Sequence, residues 1–261
     1  MPYSTLRFEM RGSVAHITLD RPDTLNALSA QMAGDLAGAV EECGQQGARA
    51  VILTGAGKAF CAGGDLHGFA AAGRDAGVEI KRVLGRLHAA VTGIATMDAP
   101  VIAAVNGVAA GAGLSLACAC DLVLAAESAR FTVAYTRAGL TPDASGTYFL
   151  PRRVGLGRAL ELAITNRILS AREALDYGLA TRVVPDADLM GEADSLARQL
   201  AEGPSRAFGG AKRLIHLGWG ATLEEQLARE AESITQMAGS DDGQEGIHAF
   251  VEKRPPHFTS R

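Results

Sequence analysis

Two short turns rich in glycine and alanine carry the clearest chemical opportunity in this chain. One lies in Phe60-Cys61-Ala62-Gly63-Gly64-Asp65-Leu66. The other follows the apolar run Val101–Val105, in Asn106-Gly107-Val108-Ala109-Ala110-Gly111-Ala112-Gly113. Turns lined by nothing larger than a methyl group leave backbone N–H groups open to a ligand. If a helix follows the second turn, its amino-terminal partial charge reinforces those donors. If the preceding strands are sheet neighbours, both turns emerge at one edge, and the N–H groups of Gly64 and Ala112 converge on one oxygen. Such a pair suits stabilisation of an oxyanion on a substrate carbonyl, where one lost donor costs about 10²–10³ in rate. Composition alone equally admits plain tight turns at helix–sheet contacts.

Positioning these turns requires a layered scaffold, and the pattern predicts one. Val14–Leu19 reads as a strand broken by Arg21-Pro22-Asp23. Leu28, Met32, Leu36 and Val40 at four-residue steps predict a helix, with Ser29 as its cap. Val51–Thr54 reads as a strand buried on both faces, and the glycine-rich stretch 55–64 as a loop. Ile80, Leu84, Leu87, Val91 and Ile94 mark one face of a second helix. Val101–Val105 and Leu122–Ala125 are further strands, and the Ala/Gly-rich patch 70–77 is a candidate mobile loop. Alternating strands and helices predict an α/β fold with crossover connections. Beyond about residue 155 the pattern is helical, over 157–165, 171–178, 188–202, 205–217 and 222–238. The expected division is an α/β core over residues 1–195 and a helical region over 196–261 that packs on its own core or on another subunit.

Bulk properties exclude several classes. With 48% apolar and 21% charged residues, the chain of 261 residues has an ordinary globular composition. A net charge of −4 without a Lys/Arg cluster argues against a nucleic-acid or anionic-membrane surface. No apolar run approaches the ~18 residues of a membrane span. The opening MPYSTLRFEMRG has no apolar signal-peptide core, so a cytoplasmic location is expected. The four cysteines, Cys43, Cys61, Cys118 and Cys120, form no Cys-x-x-Cys pair and have no histidine at ligand spacing. Free thiols and no metal site are expected.

FCAGGDL, NGVAAGAG and CDLVLAAESARF, in that order, resemble the enoyl-CoA hydratase/isomerase (crotonase) superfamily. So do HITLDRPDTLNAL, LSAREALDYGLATRVV and the closing EGIHAFVEKRPPHF, so the similarity spans nearly the whole chain. The resemblance implies a superhelix of stacked β-β-α units followed by a helical trimerisation region, and hence a homotrimer or dimer of trimers. It implies an acyl-CoA thioester as substrate, no cofactor beyond that coenzyme A moiety, and an oxyanion hole from the Gly64 and Ala112 amides. Ala62, Asp65 and Leu66 would meet the adenine end through backbone contacts, and Lys253 would reach the phosphates or stay a solvated helix-end lysine.

The catalytic acids are where the chain departs from the family it resembles. Typical hydratases carry one glutamate where Ser115 stands here, and a second, after proline, where Tyr135 follows Ala134. An acid appears instead at Asp143, within Gly139-Leu140-Thr141-Pro142-Asp143-Ala144-Ser145-Gly146. That placement resembles the branch of epoxyphenylacetyl-CoA isomerases and the aspartate-bearing dienoyl-CoA isomerases. A lone carboxylate beside a polarised thioester can move a proton between carbons and so shift a double bond, without water or a second acid. Leu140, Phe149 and Leu150 would desolvate Asp143. By residue type alone, Asp143 could equally cap a helix starting near Ala144. Tyr135 is either a hydrogen-bond donor in an acyl pocket or a core aromatic. His88 matches a histidine of 4-chlorobenzoyl-CoA dehalogenases, in which the aspartate is a nucleophile, but also suits the rim of an apolar helix. The Arg152-Arg153 pair reads as solvated charge. The favoured reading is double-bond isomerisation. The alternatives are a hydratase with one atypical acid, a dehalogenase-like enzyme or thioester hydrolase with Asp143 as nucleophile, and a non-catalytic CoA-ester binder.

Overall fold

After an opening hairpin, the strands of this chain come in pairs, and each of these pairs feeds two different sheets. The computed structural model describes residues 3–259. An antiparallel hairpin opens it, β1 (Leu6–Arg11) and β2 (Val14–Leu19), followed by α1 (Ala30–Gln45). Ser29 Oγ caps α1 by accepting from the Met32 N–H at 3.2 Å. Next come β3 (Ala50–Gly55), β4 (Ala59–Cys61), α2 (Leu66–Ala71) and α3 (Ala76–Thr96). The unit recurs as β5 (Val101–Val105), β6 (Val108–Ala110) and α4 (Ala112–Ala119), then as β7 (Leu122–Ala126), β8 (Arg130–Thr132) and α5 (Gly146–Val154). The core continues through α6 (Leu156–Thr165), β9 (Leu169–Ser170), α7 (Ala171–Asp176) and β10 (Arg182–Val184). One sheet runs β1-β2-β3-β5-β7-β10, the other β4-β6-β8-β9. Pairing is parallel except in the opening hairpin and between β8 and β9. The result is the superhelix of stacked β-β-α turns that the motifs imply.

The larger sheet is apolar on both faces. Every residue of β3 and β5 is buried, as continuous apolar runs demand when both sides are covered. One face packs against α1 and α3. The other lies under α8 (Leu189–Ala201), whose Leu189, Ala193, Ala197 and Ala201 cluster with Ile52, Ile102, Ala104 and Leu124. The boundary expected at residue 195 therefore falls inside a helix that packs on the core along its whole length.

Three helices follow, α9 (Ser205–Gly218), α10 (Leu223–Ala238) and α11 (Asp241–Glu252). On α9, Lys212 Nζ donates to Asp121 Oδ2 at 3.1 Å, and Arg213 pairs with Asp98 at 2.6 Å, which ties this helix to the core. No residue of α10 is buried, and α11 presents Phe250 at 85% exposure. Among the described residues no helix is long and apolar enough to cross a membrane.

Three local expectations are corrected. The glycine-rich stretch 55–64 contains β4, a strand too short to show a period in sequence. The patch 70–77 is not a loop: it is built from the end of α2, a 3-10 turn at Gly73–Asp75 and the start of α3. The arginine pair is not simply solvated. Arg153 donates to the carbonyls of Cys118 (2.9 Å) and Cys120 at the end of α4, and Arg152 stacks on the Tyr148 ring at 3.5 Å from its centroid.

Candidate active site

The first turn is held by a knot near the amino terminus. Asn26 is fully buried in left-handed backbone (φ +58°), a conformation asparagine tolerates better than most residues. Its Oδ1 accepts from the Arg21 N–H at 2.9 Å, and its Nδ2 donates to the Ala56 and Ala59 carbonyls at 2.9 and 2.8 Å. The same segment pairs with the turn itself: Ala62 N–H donates to Leu25, Leu28 N–H to Gly63, and Asp65 N–H to Leu28. Arg21 completes the clamp, reaching the Ala27 carbonyl at 2.6 Å and Asp65 Oδ2 at 3.1 Å. These bonds account for the Asp-Arg-Pro…Leu-Asn-Ala motif, a structural role that sequence reasoning left unassigned.

The second turn is pressed against the first. β4 and β6 are parallel neighbours, so the two turns leave the smaller sheet at one edge. Gly111 adopts φ +54°, ψ −126°, a region open essentially to glycine alone, at the cap position just before α4. A Cβ on Gly113 would lie 2.1 Å from the Cys61 carbonyl oxygen, so only glycine lets α4 seat on β4. A Cβ on Gly63 would lie 3.5 Å from the Ala112 nitrogen. Ala112 is the first residue of α4, where an N–H has no intrahelical partner. Among the described residues neither the Gly64 nor the Ala112 N–H has an acceptor. Both residues line one cavity of about 210 Å³, together with Ala62, Leu66, Tyr135 and Asp143. Its apolar wall comes from Phe69, Ile80, Val83, Leu84 and Leu87 on one side and Ala138 and Leu140 on the other.

Asp143 and Tyr135 meet in this cavity. Tyr135 Oη donates to Asp143 Oδ1 at 2.5 Å and lies 3.2 Å from Ser115 Oγ. The helix-cap alternative for Asp143 is thereby corrected: α5 starts at Gly146, its preceding Ser145 caps nothing, and the Asp143 carboxylate faces Tyr135 instead. Burial pushes the Asp143 carboxyl above the ordinary range, and the Tyr135 hydrogen bond opposes that rise in part. Burial and the neighbouring carboxylate push the Tyr135 phenol strongly upward, so it stays a donor. Left-handed, non-glycine backbone flanks both residues, at Ala134 (φ +60°), Ala144 (φ +49°) and Ser145 (φ +70°). Such conformations cost of order 1–3 kcal/mol each and persist where the surroundings impose them. Ser115, named in the sequence only as the position of an absent glutamate, joins the hydroxyl network from a 2% exposed site on α4. Behind it lies a second, largely apolar cavity of about 180 Å³, sharing Gly111 and Tyr135 with the first and lined by Leu114, Leu150 and Leu160.

Other predicted residues lie apart from this cluster. The Asp65 carboxylate does not line the cavity; it binds Arg21 and caps α2 by accepting from the Gly68 N–H at 3.2 Å. His88 does not line it either, because it sits one position past buried Leu87 on the exposed flank of α3, although its charge favours the ionised form of Asp143. Lys253 is exposed at the end of α11, also outside the cavity. Cys61 is buried beside the first turn and pushed up to about 12, so it stays a protonated thiol at neutral pH.

Comparison with known proteins agrees with this architecture. Residues 9–261 match the family model for enoyl-CoA hydratase/isomerase. The chain is 46% identical over 261 residues, all of both chains, to a Rhodobacter capsulatus protein named "Probable enoyl-CoA hydratase". It is 40% identical over 253 residues, 95% of each chain, to the 1,2-epoxyphenylacetyl-CoA isomerase of Escherichia coli K12. Its fold superposes on the crystal structure of an enoyl-CoA hydratase from Polaromonas sp. JS666 with a TM-score of 0.92 at 36% identity, covering 97% of this chain and 99% of that one.

Proposed function

Given that this chain belongs to the enoyl-CoA hydratase/isomerase family, we propose that it shifts a double bond in an acyl-CoA thioester, with Asp143 carrying the proton. The observation behind this reading is the placement of Asp143 in one cavity with the free amides of Gly64 and Ala112. The two positions where hydratases carry glutamates hold Ser115 and Tyr135 instead.

The thioester oxygen is held by the two N–H donors. This acidifies the α-carbon of a 3-enoyl group, or the γ-carbon of a 2-enoyl group. Asp143 removes that proton, and the electron pair of the C–H bond moves through the carbon chain onto the oxygen as an enolate. Return of a proton from the Asp143 carboxyl, which can exchange with solvent, at the other carbon re-forms the carbonyl and leaves the double bond displaced. No species is consumed, and no group beyond the substrate's own coenzyme A is needed. Preorganised amides contribute most where charge develops, on the oxygen. The apolar cavity behind Tyr135 supports a hydrocarbon or aromatic acyl group, since an uncompensated charge there costs several kcal/mol. Ala62 and Leu66 at the cavity mouth support backbone contacts to the adenine end of coenzyme A. The apolar residues on α10 and α11 support assembly into a trimer or dimer of trimers, in which Lys253 serves the phosphates of its own or a neighbouring site.

A second reading is favoured by the hydratase name of the Rhodobacter relative: Asp143 activating water alone. Incubation with 3-enoyl-CoA and 2-enoyl-CoA in heavy water separates the two. Mass spectrometry is expected to find an isomer of unchanged skeleton, with deuterium only at carbon. A product heavier by one water identifies a hydratase, release of CoA thiol a hydrolase, and halide release from a haloaroyl-CoA a dehalogenase. Asp143→Asn is expected to lower kcat by at least about 10²-fold. A variant as fast as the parent removes Asp143 from the chemistry.

A further inference from the structure

The hydroxyl network at the site has a direction. Tyr135 Oη owns one hydrogen and has three oxygen neighbours, Asp143 Oδ1 at 2.5 Å, Ser115 Oγ at 3.2 Å and the Asp143 carbonyl oxygen at 3.4 Å. The shorter, charge-assisted contact takes that hydrogen. Ser115 is then free to turn its own hydrogen toward the Tyr135 oxygen, its other acceptor being the Gly111 carbonyl at 3.3 Å. A donor that itself accepts a hydrogen bond is polarised and donates more strongly. Gly146 makes room for this arrangement, since a Cβ there would lie 2.5 Å from Ser115 Oγ. Among the described residues no donor is directed at Asp143 Oδ2.

We propose that Ser115 and Tyr135 form a one-way donor chain that occupies Oδ1 of Asp143 and reserves Oδ2 as the oxygen exchanging a proton with substrate. Ser115 is a positioning residue that acts through Tyr135, and Gly146 is the position that admits its hydroxyl. The proposal rests on the proton-shuttle reading above. It adds which oxygen works and which residues select it.

The test is the pH dependence of kcat/KM for 3-enoyl-CoA isomerisation. Asp143 feels two titratable groups, Tyr135 and, from α3, His88. All variants are therefore made in a His88→Gln background. Tyr135→Phe removes the donor to Oδ1 and is expected to move the acid limb up by about one pH unit. Ser115→Ala and Gly146→Ala are expected to move it the same way by less. Ser115→Ala combined with Tyr135→Phe is expected to move it no further than Tyr135→Phe alone, because residues acting in series do not add. An unmoved limb in Tyr135→Phe, or fully additive shifts in the double variant, overturns the chain. Infrared titration of the protonated carboxyl band, assigned by its loss in Asp143→Asn, reads the same shift without turnover and covers any variant too weak to assay. Asp143→Asn with parental activity defeats the shuttle reading, while the infrared titration still decides the donor chain. An inactive Asp143→Asn with an unmoved limb and an unmoved band defeats only the donor chain.

Discussion

Asp143 holds its proton more tightly than a carboxyl in water, because its pocket is half-buried and one tyrosine hydroxyl only partly compensates. The sign of the consequence follows directly. In the proposed reaction the ionised form accepts the substrate proton, and a raised pKa means this form is lost at a higher pH on acidification. The acid limb of kcat/KM is therefore expected above the ordinary value of 3.8, and a limb at or below it assigns the titration to another group. Which of these residues were legible in the sequence depended on how local their roles are. Gly64 and Ala112 declare themselves, since small turns with bare amides are written in consecutive residues. Asp143 declares itself by standing alone where two glutamates are absent. The Ser115–Tyr135 contact joins residues 20 positions apart and depends on left-handed backbone at Ala134. Alanine carries no compositional signal for that conformation, so the network was invisible until the chain was folded.

At the level of elements, the meeting of β4 with α4 is the contact on which the site depends. Gly113→Ala would drive a methyl group into the Cys61 carbonyl. The expected cost is about 1–3 kcal/mol in denaturant unfolding, with a larger fractional loss of kcat as the Ala112 amide shifts. Gly157→Ala on α6 is the control. Nothing lies within 4 Å of its added carbon, so stability is expected to hold or rise slightly. An equally mild effect of both substitutions would show that the close seating of α4 is not needed. Long periodic elements were readable in advance: the α1 and α3 stripes, the Ser29 cap and the buried runs of β3, β5 and β7 all form. The three-residue β4 was not, because it falls below the length at which periodicity exists, and its partner lies 49 residues on, at Val108.

For the molecule as a whole, the carboxyl-terminal helices pose the open packing problem. Ile234 (70% exposed) and Phe250 (85%) leave large apolar side chains in water on helices that bury little of themselves. Several large apolar side chains exposed on two successive helices suit an interface. Phe250→Glu is expected to shift the sedimenting species toward monomer in analytical ultracentrifugation, with the isolated core still folded. A parent chain that sediments as a monomer rejects the assembly.

The placement of α8 bears on how the chain is made. Strands join the larger sheet nearly in the order they are written, but its second face stays uncovered until Leu189–Ala201 arrives. A nascent polypeptide leaving the ribosome therefore carries a bare aliphatic slab, complete in Ile52, Ile102 and Leu124 once residue 124 is made, until Ala201 is added, which makes early termination before Ala201 a route to aggregation and a natural point of chaperone dependence.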